Sequence, residues 1–132
     1  IAACSALGNH GEAAEQYLDG IADCVKDKRP RVQIAARVAL QKHGQVGEGH
    51  AEVVAQYLEH KDGQTRQAAC QAIGSMGQAA VPHLAAVAKR LTDKGTQLYY
   101  DVGRFVRAAA CEAFGKHGEA AVPHLGAVAK CL

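Results

Sequence analysis

The sequence is poor in the residues that usually fill a globular core. Its 132 residues include no tryptophan, four tyrosines, two phenylalanines, three prolines and one methionine. This excludes a core built around large aromatic side chains, whereas 27 alanines favour helices that approach one another closely. No run reaches the roughly 18 consecutive apolar residues of a membrane-spanning helix. A net charge of +2 gives no strong attraction to nucleic acid or anionic lipid.

Motifs of common catalytic centres are also missing. The sequence has no glycine-rich phosphate loop and no serine–histidine–aspartate arrangement, so we expect neither catalysis nor a cofactor. Its five cysteines occur in a helical pattern without a secretory segment. That usage suits a reducing compartment better than a disulfide framework. We therefore expect an intracellular, cytoplasmic protein that is not an enzyme.

What the chain has instead is an internal repeat. The stretch AACQAIGSMGQAAVPHLAAVAKRL at 68–91 returns at 109–132 with 17 of 24 positions unchanged. The eight extra residues of the last step fall between Lys94 and Arg104. A period of this size predicts a stack of units that bury their apolar faces only against their neighbours. The register is marked by alanine pairs at 2–3, 35–36, 68–69 and 109–110, in steps of 33, 33 and 41 residues.

Each unit is predicted to form two helices, A and B, joined by a short turn. In RVQIAARVAL, residues 31–40, apolar residues recur at i, i+3, i+4, i+7 and i+8 and so share one helical stripe. The segment VPHLAAVAKRL, residues 81–91, has a second stripe with Pro82 near its start. Gly74 and Gly115, like Gly8, are predicted to close helix A in a left-handed conformation. The stripes are Val32, Ala35, Ala36, Ala39 and Leu40 in helix A, and Val81, Leu84, Val87, Ala88 and Leu91 in helix B.

The pattern VRAAACEAFGKHGEAAVPHL at 106–125 resembles the HEAT repeat, with its alanine pair, hydrophobe–glycine end and early proline in helix B. The HEAT-like repeats of phycobilisome lyases and the armadillo repeat are similar to it. The resemblance implies an all-α fold, a right-handed superhelix of about four helical hairpins forming a single array over 1–132. Because neither end carries a polar capping face, we expect a segment of a longer array or ends covered by other subunits. The units would cover 1–27, which is truncated, 28–60, 61–93 and 102–132, with a loop inserted at 95–103.

Histidines and cysteines recur with the repeat, which raises the question of metal or thiol chemistry. Equivalent positions in adjacent units are separated by roughly the 8–10 Å between packed helices. One zinc ion needs ligands at about 2.0–2.3 Å, so we expect no metal site. We expect the cysteines to be small, semi-buried fillers, with a bridge inside one unit, Cys4–Cys24 or Cys111–Cys131, as the alternative. The recurring sets are His10, His43 and His117; His50, His83 and His124; Cys4, Cys70 and Cys111; and Cys24 and Cys131.

The charge on helix B changes sign along the chain, from acidic in the first two units to basic in the last two. In HEAT-like arrays the B helices line the concave face, so the resemblance implies an inner surface that suits a protein ligand of matching polarity. The paired tyrosines of the inserted loop are candidates for a second contact, because aromatic residues are enriched at interface hot spots. They could equally fold back over the A helices. The candidate protein-binding residues are Tyr99, Tyr100, Asp19, Asp23, Glu52, Gln56, Lys89 and Lys130.

Three functions of different classes follow from these features. We expect a non-catalytic scaffold or adaptor whose partners are proteins, further repeats or subunits of a larger complex. A module that handles a chromophore or small ligand, as the lyase-type repeats imply, would need polar residues that break the repeat, and only 95–103 does so. Nucleic-acid binding would need a continuous basic track. The A side offers for it the basic residues Lys28, Arg29, Arg31, Arg37 and Lys42.

Overall fold

The computed structural model describes residues 18–42, 49–95 and 101–130, with side chains from residue 20 onwards. Within these ranges the chain is helical and contains no strand, which confirms the all-α prediction for them. The α-helices are α1 (Leu18–Cys24), α2 (Pro30–Lys42), α3 (His50–Gln56), α4 (Gly63–Ser75), α5 (Leu84–Ala88), α6 (Val102–His117) and α7 (Leu125–Ala129). Turns of 3-10 helix occupy Tyr57–Glu59, Gly77–His83, Lys89–Thr92 and Gly118–His124.

The A helices α2, α4 and α6 begin at residues suited to a helix start. Pro30 is the first residue of α2, where its missing N–H costs nothing. The carboxylate of Asp62 accepts a hydrogen bond from the Thr65 N–H at 2.9 Å, and that of Asp101 accepts one from the Arg104 N–H at 3.0 Å. Each such cap stabilises a helix start by about 1 kcal/mol. In α2 the buried residues are Val32, Ile34, Ala36, Ala39 and Leu40, with Ala35 half-buried.

The apolar stripes predicted one α-helix for each B segment, and in the third and fourth units this prediction was wrong. In the third and fourth units they begin as 3-10 turns that contain Pro82 and Pro123, and they continue as the short helices α5 and α7. Proline has no N–H for an α-helical hydrogen bond, which is compatible with this tighter first part. The predicted stripe is buried at Leu84, Val87 and Leu91 and half-buried at Val81 and Ala88.

The glycines that reverse the chain after helix A are not the predicted ones. Gly74 and Gly115 lie inside α4 and α6. Positive φ angles occur three residues later, at Gly77 (60°) and Gly118 (52°). The prediction was wrong because the left-handed residue, which glycine adopts without steric cost, is needed where the 3-10 segment starts and not where the apolar stripe ends.

Helices pack against their neighbours in chain order. Helix α1 contacts α2, α2 contacts α4, and α4 contacts α6 across the most extensive interface between described elements. That interface is close, since a Cβ on Gly74 would lie 3.0 Å from the Cα of Ala113 in α6. The B segments also meet, α3 with Gly77–His83 and α5 with Gly118–His124. At one position of the repeat, Val54 and Val87 are fully buried and Val128 is half-buried.

One hydrogen bond recurs between consecutive units. In each case a side chain from the first part of helix A donates to a backbone carbonyl where the preceding unit ends. The donors occupy one position of the repeat and the acceptors another. This inter-unit hydrogen bond therefore fixes the start of every described A helix in the same way. The pairs are Gln33 with Asp27 (2.6 Å), Arg66 with His60 (2.8 Å) and Arg107 with Asp93 (2.6 Å).

The insertion at 95–103 does not alter that link. A Cβ on Gly103 would lie 2.6 Å from the carbonyl oxygen of Asp93 and 2.7 Å from the nitrogen of Gly95, so the two ends of the inserted segment meet. Helix α6 begins within the insertion, at Val102. Because the ends meet, the Arg107 hydrogen bond joins the third and fourth units as it does in the shorter steps.

Candidate protein-binding surface

The B segments have a buried side and an exposed side, and the predicted binding residues lie on the exposed one. Apolar residues at most 1% exposed form the buried side: Ile21, Val54, Leu58, Val87 and Leu91. The candidate residues with described side chains are all exposed: Asp23, Glu52, Gln56, Lys89 and Lys130. We call these five residues the B face. Their exposure agrees with the period and polarity of the sequence, and their role in binding stays a prediction.

Three predicted residues stay predictions. Tyr99 and Tyr100 lie outside the described residues. Asp19 belongs to α1, but its side chain is also outside the described part.

The charge on the B face grades from acidic to basic. One position of the repeat carries Asp23, Gln56, Lys89 and Lys130 in chain order. Ion pairs between described residues join Arg29 with Asp27, Arg66 and Arg90 with Asp93, and Arg107 with Asp101. The side chains of the B face are exposed to solvent, which makes them accessible to a partner.

A buried ion pair holds the end of the third B segment in place. Arg66 donates through Nε and Nη2 to the two carboxylate oxygens of Asp93, both at 2.8 Å, and these side chains are 5% and 3% exposed. The N–H of Gly95 and Nη1 of Arg90 donate to the same carboxylate at 2.8 and 3.3 Å. Burial by itself would raise the pKa of Asp93, but the hydrogen bonds from Arg66 and Gly95 outweigh it and lower that pKa. This network holds Arg90 in place. Arg90 is next in sequence to Lys89, which belongs to the B face.

One histidine from each recurring set contacts another part of the protein: His117 by a hydrogen bond and His124 by ring packing. His117 Nε2 donates to the carbonyl oxygen of Ile73 at 2.8 Å, which satisfies an acceptor in the last turn of α4. His124 packs on Phe114 with ring centroids 5.4 Å apart. Within the described ranges, no three His, Cys, Asp or Glu side chains are arranged to hold a metal ion.

Cysteine chemistry is unfavourable at the fully buried thiol. Cys70 is 0% exposed, and burial raises its pKa to about 12. It therefore stays protonated at neutral pH, whereas nucleophilic or metal-binding cysteines need the thiolate. Cys24 and Cys111 are half-buried, in keeping with small filler side chains. The alternative of a bridge, Cys4–Cys24 or Cys111–Cys131, in each case involves a residue, Cys4 or Cys131, that lies outside the described part.

A groove between α2, α4 and α6 was not predicted. It encloses about 630 Å³, and Phe105, 44% exposed, lies at its edge under the guanidinium of Arg104, 4.7 Å from the ring centroid. Phe105 takes the repeat position of Arg31 and Gln64, so a comparison of the units would have revealed an apolar residue where the others are polar. The groove is lined by Arg31, Gln64, Gln67, Ala68, Gln71, Val102 and Phe105.

The basic A side does not form a uniform row of available charges. Arg29 pairs with Asp27 at 2.8 Å, and its hydrogen bonds lower the pKa of that carboxyl. The half-buried Arg37 directs Nη1 to Nδ1 of His50 at 3.4 Å. Two of the five basic residues are thus engaged within the chain, Arg29 on the surface and Arg37 partly buried.

The described ranges contain no helix long and apolar enough to cross a membrane. Comparison with known proteins finds no family model and no curated protein that matches the chain.

Proposed function

We propose that this chain is a non-catalytic protein-binding segment of a HEAT-like right-handed superhelix, with the B face as its binding surface. The observation that carries the proposal is the exposed series Asp23, Gln56, Lys89 and Lys130 at one position of the repeat. The recurring inter-unit hydrogen bond supports a regular stack. In such a stack, equivalent positions form a row and not a pocket.

The graded row defines the ligand by its charge. An extended or helical protein segment with basic residues near Asp23 and acidic residues near Lys130 would bind in one direction, because the reverse orientation places like charges together. Exposed charges at the edge of an interface mainly change the association rate and its dependence on salt concentration.

Charge-reversal variants test the surface. The immobilised chain would capture partners from a lysate of its source cells, followed by hydrogen-exchange mapping on the purified complex. We expect Lys89→Glu with Lys130→Glu to lose those partners. Lys28→Glu with Lys116→Glu, two exposed lysines outside the B face, changes the net charge equally and should retain them. Retention by the B-face variant would contradict the proposal.

A direct test separates this function from the chromophore or small-ligand alternative. Incubation with bilins or divalent metals, then absorbance and elemental analysis, should give no stoichiometric uptake. Stoichiometric pigment or metal would reject the scaffold function.

A further inference from the structure

The groove between α2, α4 and α6 is lined by polar residues that the repeat does not require. Gln64, Gln67 and Gln71 lie at positions i, i+3 and i+7 of α4 and so share one face of that helix. In α2 the positions equivalent to Gln67 and Gln71 hold the apolar residues Ile34 and Val38. The three amides therefore belong to this place in the chain and not to the helical hairpin as such.

The polar groups of the groove suit a polypeptide backbone. A glutamine amide both donates and accepts hydrogen bonds, as a peptide group does, whereas a phosphate group only accepts them. Among the described residues that line the groove, Arg31 is the one with a charge, and none is acidic. Nη1 of this exposed arginine donates to Oε1 of Gln64 at 3.4 Å, which leaves its other N–H groups to a carboxylate.

An apolar surface lies on the other side of α4. The ring of Phe105 is 44% exposed, and the guanidinium of Arg104 lies over it, 4.7 Å from the ring centroid. Val102 of α6 and Ala68 of α4 line the groove with it. An aliphatic side chain placed here would lose contact with water, and a carboxylate next to it would meet Arg104.

The charge is positive at the end of the groove where the A helices begin. Exposed cations lie at this end, whereas each described acidic residue in the turns before α4 and α6 already has a partner within the chain. Glu112, an exposed acid on the same face of α6 as Phe105, lies two turns farther along that helix. An acidic ligand is therefore favoured at this end. The cations include Arg31, Lys61, Lys94 and Arg104, and the engaged acids are Asp62 with Thr65, Asp93 with Arg66, and Asp101 with Arg107.

We propose that this groove binds an extended acidic segment of a partner protein, with carboxylates at Arg31 and Arg104 and an apolar side chain on Phe105. The two ends of the groove lie on either side of α4, so two helix-packing distances, roughly 16–20 Å, separate them. An extended chain spans that length with about five or six residues, and its backbone meets the glutamines of α4. The groove lies among the A helices, so this inference goes beyond the function of the B face and does not rest on it.

A nuclear magnetic resonance titration of the isotope-labelled chain tests the site. The probe is the acetylated peptide Glu-Ser-Thr-Ser-Leu-Glu, which has a carboxylate at each end and a leucine beside the second one. We expect saturable shifts of the side-chain amide signals of Gln64, Gln67 and Gln71, and no shift at Lys89 or Lys130 of the B face. Added salt should weaken the binding.

Matched variants test the two kinds of contact. Arg31→Gln and Phe105→Ser should each lower the affinity about tenfold, the loss expected for an interface anchor. Lys130→Gln removes an exposed cation elsewhere, and Val122→Ser removes an apolar residue that is 58% exposed. Both of these controls should bind the peptide like the wild type. Equal affinity of Arg31→Gln and the wild type would overturn the proposal.

Other ligands decide the chemistry. The same peptide with lysine in place of both glutamates should leave the glutamine signals unshifted, and so should a six-nucleotide oligothymidylate. Binding of either one as strong as that of the acidic peptide would overturn the proposal, the second in favour of nucleic acid. A large excess of acidic peptide without any shift of the glutamine signals, or with shifts confined to the B face, would overturn it as well.

Discussion

At the scale of single residues, two glycines at one repeat position have opposite surroundings. A Cβ on Gly74 would lie 3.0 Å from the Cα of Ala113, whereas one on Gly115 meets nothing within 4 Å. We expect Gly74→Ala to lower the free energy of unfolding by about 1–3 kcal/mol, because two helix backbones must separate. Gly115→Ala should raise it by about 0.4–1 kcal/mol by restricting the unfolded chain. Urea denaturation measures both, and shifts of the same sign would contradict the packing described.

Arg66 and Asp93 form the buried ion pair of the third unit, and its loss should be costly. Arg66→Met leaves the Asp93 carboxylate buried without its main partner, which we expect to lower the free energy of unfolding by about 3–5 kcal/mol at neutral pH. Arg29→Met removes an arginine that is 75% exposed and should leave the denaturation midpoint unchanged. Equal effects of the two substitutions would show that the Asp93 site is open to water.

The same pair predicts a pH dependence. Asp93 has a lowered pKa in the folded chain, so its stabilising contribution is complete above the unfolded value of about 4 and is lost as the pH falls through the folded value. The stability difference between the wild type and Asp93→Asn should therefore be constant near pH 7 and shrink below about pH 4. Thermal denaturation at a series of pH values measures it. A difference that grows in acid would mean that the folded pKa of Asp93 is raised.

Residue-scale features were predictable only where they follow from periodicity. The exposure of Asp23, Gln56, Lys89 and Lys130 follows from their place opposite the apolar stripe. The pairing of Arg66 with Asp93 does not, because 27 residues separate them and only the packing of the two segments of the third unit against each other brings them together.

At the scale of elements, the sequence predicted the positions of the helices better than it predicted how each B segment starts and which glycine forms the turn before it. The stripe in α2 and the proline at its start were sufficient for that helix. The 3-10 start of the B segments in the third and fourth units was not predicted, because apolar spacing over a few residues hardly differs between 3.6 and 3.0 residues per turn. The backbone angles show that Gly77 and Gly118 turn the chain, whereas Gly74 allows close packing of α4 on α6. The sequence alone does not distinguish these two uses of glycine.

The inter-unit hydrogen bond of Arg107 gives a prediction for α6. Arg107→Leu removes the donor to the carbonyl of Asp93 and should lower the free energy of unfolding by about 1–3 kcal/mol, since that buried acceptor is left unsatisfied. Arg104 lies in the same part of α6 but is exposed. We therefore expect Arg104→Leu to lower the free energy of unfolding by less than about 0.5 kcal/mol. Denaturation curves compare the two, and a cost for Arg104→Leu as large as that for Arg107→Leu would show that helix propensity and not the bond is responsible.

At the scale of the whole molecule, the buried apolar side chains of the described residues form two clusters. The larger one extends from Ile34 to Ala121 and includes the cores of α4, α5 and α6. The smaller one joins Ile21 of α1 to three residues of α2, namely Ala36, Ala39 and Leu40. The repeat predicted units that share their interiors, but it did not predict this division at α2. The division depends on which side chains of α2 face each neighbour.

Two matched leucines test whether the clusters open separately. Leu84 lies in the larger cluster and Leu40 in the smaller one, each 1% exposed, and truncation of either to alanine should cost about 2–5 kcal/mol. If regions open locally, Leu84→Ala should accelerate amide hydrogen exchange in α4 and α6 but not in α1. Leu40→Ala should accelerate it in α1 and α2 but not in α6. Exchange followed by mass spectrometry resolves these segments. Uniform acceleration by both variants would instead mean that the clusters unfold together, with α2 transmitting the loss of either one to the whole array.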